Sequence, residues 1–397
     1  MRQYLPLFIA LSSAPAWAQQ DTPFKFSAGY SLQTDSNLFR LPASANTNAL
    51  IGASSAAEQI GVTNVGLGFA TTQSLQKLEF NIGLVDYRYQ NFSYLNFAAR
   101  NFDAAWHWSL TPRWTGNLTT DRKETLNSYA DFSGFAQRNR RTDTNTRLDT
   151  YYEIAGPWKL VAGISQARQD NEIALVGSGD YSSVSTDIGL RYAFTSGSTA
   201  TYSAKVYDGT YLNRVVPNAN AMDSSFKQID NDLRLHWVLN GNSALDANVT
   251  YLNRTHPTYS QRNYSGIAAG ANLNWALTGK TTLSAAYARE LGAYATSNAN
   301  YSQTDRFSLG PAWQLSPKAL VRLQQVWAQI DYAGTPDASV ASSQRRDTTH
   351  ETTLSLAWQP VQQVTFNTSL KNASRSSTSA GLDYDSTMAT FSIQYSY

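Results

Sequence analysis

The sequence predicts an all-β fold: a transmembrane antiparallel up-and-down β-barrel of about eighteen strands, with short periplasmic turns and long extracellular loops. Three observations carry this expectation. Apolar and polar residues alternate with period two in one segment after another. Short turn signals recur about every forty residues, the length of a hairpin with one short and one long connection. The chain also ends on an aromatic strand, residues 383–397, with Ala389, Phe391, Ile393, Tyr395 and Tyr397 on one face and Thr390, Ser392, Gln394 and Ser396 on the other.

Composition narrows the class. Only 15% of the 397 residues are charged, so the polarity comes mainly from Ser, Thr, Asn and Gln. Cysteine is absent, which excludes disulfides, thiolate metal sites and cysteine nucleophiles and suits passage through an oxidising compartment. A formal charge of +2 with no long basic run speaks against a nucleic-acid partner.

Residues 1–18 read as a cleaved secretory signal. Arg2 precedes an apolar stretch from Tyr4 to Leu11, and Ala16-Trp17-Ala18 forms a small-x-small site with cleavage between Ala18 and Gln19. The apolar stretch is well short of the ~20 residues that a helical span needs. Residues 19–397 are then a single barrel domain that crosses a membrane as strands, and the Gram-negative outer membrane is its expected location.

The first strand is expected from Phe24 to Leu32. Short turns follow at 71–74, 109–112, 155–157, 195–198, 240–242, 278–280, 316–318 and 359–361. Between them lie polar stretches read as long loops: 35–59, 90–95, 123–141, 169–180, 208–226, 255–263, 292–301, 332–346 and 372–382. Nine long loops and eight short turns give eighteen strands, an even number that permits closure and leaves both termini at the short-turn end.

Individual strands support this reading. Ile188, Leu190, Tyr192 and Phe194 oppose Asp187, Gly189 and Arg191, and Ile229, Leu233, Leu235, Trp237 and Leu239 oppose Asp230, Asp232, Arg234 and His236. One face tolerates charge, as a water-lined barrel interior does, while the other suits lipid. Trp108, Trp114, Trp158, Trp237, Trp275, Trp313 and Trp358 gather near short turns on the apolar face, as an interfacial aromatic belt requires. Pro311 interrupts the strand 305–315 and points to a bulge there.

No catalytic motif emerges. The four histidines are scattered, His350-Glu351 lacks the second histidine of a zincin helix, and nucleophile elbows, P-loops and dinucleotide fingerprints are absent. Neither enzymatic activity nor a cofactor or metal is expected. The lumen itself is the candidate site, with Glu79, Asp103, Arg147, Asp149, Tyr151, Asp187, Arg191, Asp230, Asp232, Arg234, Asp246, Arg322 and Glu351 as inward-facing positions. Both charge signs occur, which suits a neutral or mixed polar solute better than a simple ion. Two loops, 35–59 and 123–141, the latter with Arg138, Arg140 and Arg141, are candidates for an inward-folded constriction.

Just after the first strand stands Asp35-Ser36-Asn37-Leu38-Phe39-Arg40-Leu41-Pro42. Together with the signal segment, the length, the hairpin period and the aromatic C-terminus, this stretch resembles the EpsL family of exosortase-associated outer-membrane polysaccharide biosynthesis proteins. The resemblance implies a barrel channel in exopolysaccharide biosynthesis or export. It also implies a polysaccharide substrate and inner-membrane synthesis machinery as a partner. A general or substrate-specific porin for small-solute uptake is the alternative. Further expected partners are outer-membrane lipid and lipopolysaccharide, and the assembly machinery that reads Phe391, Ile393, Tyr395 and Tyr397 as a C-terminal signal.

Overall fold

The computed structural model describes residues 23–130, 136–173, 179–214, 216, 222–293, 299–334 and 345–397. The expected signal segment, with Ala18 and Gln19, lies outside the described residues. Eighteen strands form one closed antiparallel sheet. They are β1 (Phe24–Asp35), β2 (Glu58–Gln73), β3 (Gln76–Tyr89), β4 (Phe97–Thr111), β5 (Trp114–Leu126) and β6 (Arg140–Ala155). The second third comprises β7 (Trp158–Asn171), β8 (Tyr181–Ala193), β9 (Thr199–Tyr211), β10 (Ser225–Asn240), β11 (Ser243–Thr255) and β12 (Tyr264–Ala276). The last third is β13 (Thr281–Ala293), β14 (Tyr301–Ser316), β15 (Ala319–Ala333), β16 (Arg346–Val361), β17 (Val364–Ser377) and β18 (Tyr384–Ser396).

Each strand pairs with the next, and β18 returns to β1 from Ser27↔Ser396 to Asp35↔Met388. Closure of this kind leaves no edge, the condition for carrying strands through hydrocarbon. Among the described residues no helix is long and apolar enough to cross a membrane.

The strands run to 16 residues, longer than a membrane crossing needs. Their upper ends take in stretches that the sequence reads as loop, as β5 does to Leu126 and β17 to Ser377. The ladder is held by backbone hydrogen bonds, so it continues where apolar alternation has stopped. Three short turns sit lower than expected for the same reason, the one after β4 lying at 112–113 because that strand runs to Thr111. Polar residues carry β2 to Gln73, and β16 continues to Val361, which puts the turns at 74–75 and 362–363, with Ser74 in the left-handed region at φ 57°.

Pro311 makes no bulge. Its ladder with β13 continues through Leu283↔Pro311, while pairing with β15 lapses between Leu309↔Gln325 and Ala312↔Arg322 without a change of register. The strand keeps its phase because the missing N–H interrupts pairing on one side only, over the two rungs at Gly310 and Pro311.

Exposure alternates along the strands. The outer face presents Leu67, Ile82, Trp106, Leu148, Ile188, Leu233, Ile267 and Leu354, all at least 41% exposed. Trp114, Trp158, Trp237, Trp275, Trp313 and Trp358 stand on this face beside the short turns. Gly116 shows how the belt packs: the Trp108 ring occupies the space a Cβ would need. Phe391, Ile393, Tyr395 and Tyr397 are likewise exposed outward on the closing strand.

The final three residues complete two seams, through Val364↔Tyr395 and Ala28↔Tyr395 and through the reciprocal Phe26–Tyr397 backbone bonds of 2.8 Å. Deleting Tyr395, Ser396 and Tyr397 as a block is expected to abolish the heat-modifiable folded band in outer membranes; normal levels would contradict a role in closure and assembly.

Candidate functional site

The inner wall is built from alternate residues on neighbouring strands, so charges far apart in sequence meet on adjacent rungs. Arg147 on β6 illustrates this. Its Nε donates to Asp149 Oδ1 at 2.7 Å, while Nη1 and Nη2 donate to Asp187 on β8 at 2.9 and 3.1 Å, a bidentate pair spanning β7. Gly163, the β7 rung between them, leaves room for the guanidinium to cross. Further round, Arg234 Nε lies 2.5 Å from Asp232 Oδ2, Thr250 Oγ1 donates to Asp232 at 2.6 Å, and Gln228 donates to Asp230 at 2.7 Å. His236 Nδ1 and Asp246 are 2.6 Å apart.

Arg147, Asp149, Asp187, Arg234, His236 and Asp246 line a groove of about 600 Å³ on the inner wall, together with Tyr151, Arg191, Thr199, Thr201, Asn248 and Asn272, whereas Asp230 and Asp232 lie outside it. Three arginines, Arg147, Arg191 and Arg234, face three aspartates, Asp149, Asp187 and Asp246. The groove is therefore charge-balanced, with no ring of one sign.

The other expected positions lie outside this groove. Glu79 on β3 pairs with Lys77 at 2.8 Å and His107 at 3.1 Å, and Asp103 on β4 accepts from Asn81 at 2.7 Å. Glu351 on β16 pairs with Lys371 on β17 at 2.9 Å. Arg322 stands on β15 opposite Ala312 and Ser355. Among the described residues no group of three metal-ligating side chains occurs.

The extracellular mouth is narrowed by loops that turn inward. L1 (residues 36–57), L2 (90–96) and the described parts of L3 (127–130 and 136–139) bury Phe39, Leu41, Phe92, Leu95 and Tyr129 against the inward residues Ile60, Val62, Tyr89, Phe97 and Ala99. Phe39 meets Phe92 edge-on and Tyr129 at a tilt, each at 4.8 Å between ring centres. Burial holds the Tyr129 hydroxyl's pKa above the usual phenol value.

Polar clasps fix these loops. Asp35, 2% exposed at the end of β1, accepts from the Asn37 N–H at 2.9 Å, Arg40 at 3.0 Å and Ser386 at 2.7 Å. Asn37 Nδ2 donates to the carbonyls of Leu41 at 2.8 Å and Asp385 at 2.9 Å. The buried Glu58 carboxylate accepts the N–H groups of Gln59, Gln90, Asn91 and Phe92, which anchors L2. Arg375 on β17 donates to the Ala130 carbonyl and so reaches L3 from the far side of the seam. Arg138 donates to the Asn96 carbonyl at 3.0 Å and pairs with Glu172, just beyond the end of β7. The Arg138 hydrogen bonds hold the Glu172 carboxyl below the usual range.

Across the mouth, arginines stack on aromatic rings. Arg254 lies 3.9 Å over Phe226 and donates to Gln228 at 2.8 Å, and Arg214 lies 3.5 Å over Tyr211. The buried Asp223 accepts the N–H groups of Thr258 and Tyr259, which fixes the loop 256–263. Burial, reinforced by Arg254, pushes His256 in this loop down to about 4.

Arg140 and Arg141, read with Arg138 as one loop cluster, belong instead to β6, where Arg141 pairs with Asp143 at 2.9 Å. Sequence reasoning missed Glu58, Phe92, Leu95 and Arg375. A signal for the apolar set existed, because Leu38, Phe39 and Leu41 in an otherwise polar loop need a surface to bury against.

Solved structures share this architecture. The outer-membrane protein OpdK of Pseudomonas aeruginosa aligns over 94% of this chain and 99% of its own, with TM-score 0.52 and 11% identity. OpdO of the same organism aligns over 94% and 96%, with TM-score 0.52 and 12% identity. The chain is an outer-membrane β-barrel. Its porin-type fold is what this likeness establishes, and its apolar outer wall gives the physical reason for the membrane location. No protein-family model and no curated protein sequence matches the chain.

Two outcomes are expected. Phe39→Ala removes the ring at the centre of the loop cluster and should destabilise it by about 3 kcal/mol, as for buried aromatic truncations generally. Single-channel conductance should rise; unchanged conductance would show that L1 does not narrow the path. For His256, the native state holds the neutral imidazole, so its packing contributes fully above the free value of 6.5 and is lost as pH falls toward 4. Amide exchange in 256–263, corrected for intrinsic rates, should speed up between pH 7 and 5 in the wild type and not in His256→Gln; equal behaviour of the two would contradict this.

Proposed function

We propose that the barrel is a passive outer-membrane channel for small polar solutes of mixed or balanced charge. The observation that carries this reading is the charge-balanced groove of about 600 Å³ on the inner wall. That volume falls within the range of about 300–1,000 Å³ common for small-molecule sites. Its donors and acceptors occur largely as pairs already satisfied within the wall, so a solute exchanges weak contacts with them and is not trapped. A solved OpdK structure contains vanillate, which supports small-solute traffic as a use of this architecture.

Polysaccharide export, which the EpsL resemblance implies, rests on that resemblance alone. Several inward rings near the mouth, Tyr89, Tyr181, Tyr211 and Tyr264, are buried and offer no free face on which a gliding polysaccharide could stack. The inward-folded L1 also favours small cargo. Passage by diffusion requires no catalytic residue, and none is invoked.

In planar bilayers the protein is expected to conduct, with a reversal potential near zero under a salt gradient. Arg147→Ala leaves Asp149 and Asp187 without their cation and should raise the cation-to-anion permeability ratio about twofold or more. Absence of conductance would reject a channel. Loss of secreted polysaccharide in a deletion strain with intact small-solute uptake would favour export instead.

A further inference from the structure

The outer wall carries an arginine for which the barrel supplies no counter-charge. Arg100 on β4 shares its face with Phe102 and Trp106, and its rung partner on β3 is the lipid-facing Leu84, 54% exposed. Its backbone is fixed, with the N–H donating to Glu124 at 2.8 Å and the carbonyl accepting from Arg122 at 2.6 Å. Among the described residues its exposed guanidinium has no hydrogen-bond or ion-pair partner.

Neighbouring strands add cations at the same rim. Arg122 on β5, level with Phe102, lies 2.5 Å from Glu124, and Arg140 on β6 is 4.0 Å from the same carboxylate. Glu124 is only 5% exposed, and its carboxylate also accepts the Arg100 N–H. Arg88 on β3 pairs with Asp86 at 2.6 Å. Over β3–β6 four outward arginines thus meet two outward carboxylates, while Glu172 above them is taken by Arg138. Elsewhere on the outer wall Arg168, Arg289 and Arg346 are each paired one-to-one, with Asp170, Asp305 and Asp331. The excess charge is local, and it lies at the upper edge of the apolar belt.

A guanidinium at that depth is costly without an anion, and phosphate matches its fork geometry. We propose that the β3–β6 arc binds the phosphorylated headgroup of an outer-leaflet glycolipid, the lipid A part of lipopolysaccharide. Arg100 is the principal phosphate ligand, flanked by Arg122 and Arg140, while the acyl chains lie along Leu84, Phe102 and Trp106. The site depends on the barrel's seating in the outer membrane and not on what its lumen carries.

Purified barrel in detergent is titrated with bisphosphorylated lipid A, with dephosphorylated lipid A and with inorganic phosphate, and bound species are counted by native mass spectrometry. The phosphorylated lipid should bind at least about tenfold more tightly than its dephosphorylated form. Arg100→Ala should remove most of that preference, and Arg346→Ala on β16 should keep it. Because the Arg100 side chain makes no polar contact within the barrel, its variant should retain heat-modifiable migration; Arg122→Gln provides a second reading of the same site. Equal binding of the two lipids, or an undiminished preference in Arg100→Ala, would overturn the proposal. Inorganic phosphate binding as tightly as lipid A would overturn the lipid headgroup as the ligand.

Discussion

Hydrocarbon offers no water to a peptide N–H or C=O, so every backbone group crossing the membrane must be bonded within the protein. For a sheet this is possible only if the first and last strands meet, and the β1–β18 seam is where that condition is fulfilled. The same seam organises the mouth. Asp35 at the top of β1 is bound by Ser386 of β18, and Asn37 reaches the Asp385 carbonyl. Closing the barrel and holding L1 inward are therefore coupled through a few residues. Arg40, in the left-handed region at φ 55°, completes the clasp by its ion pair with Asp35.

Closure also separates two electrostatic regimes. Inside, partly solvated pairs such as Lys77–Glu79 contribute little individually to stability, about 0–1 kcal/mol each. Their effect is on the potential that a solute meets. At the mouth, burial dominates instead: Phe39 and Leu95 are 2% and 0% exposed, and Glu58 is satisfied by four backbone donors. In the channel proposed above, the wall is therefore the part that sets charge preference, and the apolar loop cluster the part that sets width.

Much of the architecture was legible because a barrel repeats one rule. Period-two alternation reports which residues share a face, so Asp187 and Arg191, or Asp230 and Arg234, could be assigned to one side without knowing their partners. Eighteen strands followed from turn chemistry. Partners were not legible: Arg147 reaches Asp187 across an intervening strand, a contact set by register and by the small Gly163, neither of which leaves a local signature. Strand ends were missed where polar residues extend the ladder, as in β17, since backbone pairing does not depend on side-chain polarity. Pro311 was misread because one absent donor can be tolerated without displacing the strand. The loop cluster was only half visible, as apolar residues in L1 imply burial but do not name Phe92 or Tyr129 as the surface.

A water-filled interior and a lipid-facing exterior underlie everything above, and the absence of cysteine allows both to be tested one residue at a time. Single cysteines at Ser392, Gln394, Phe391 and Ile393 of β18 would be treated in intact outer membranes with a small, membrane-impermeant maleimide. Labelling at 392 and 394 with protection at 391 and 393 is the expected pattern. Uniform labelling, or the reverse alternation, would contradict the assignment of faces on which the lumen, the groove and the lipid-facing belt all depend.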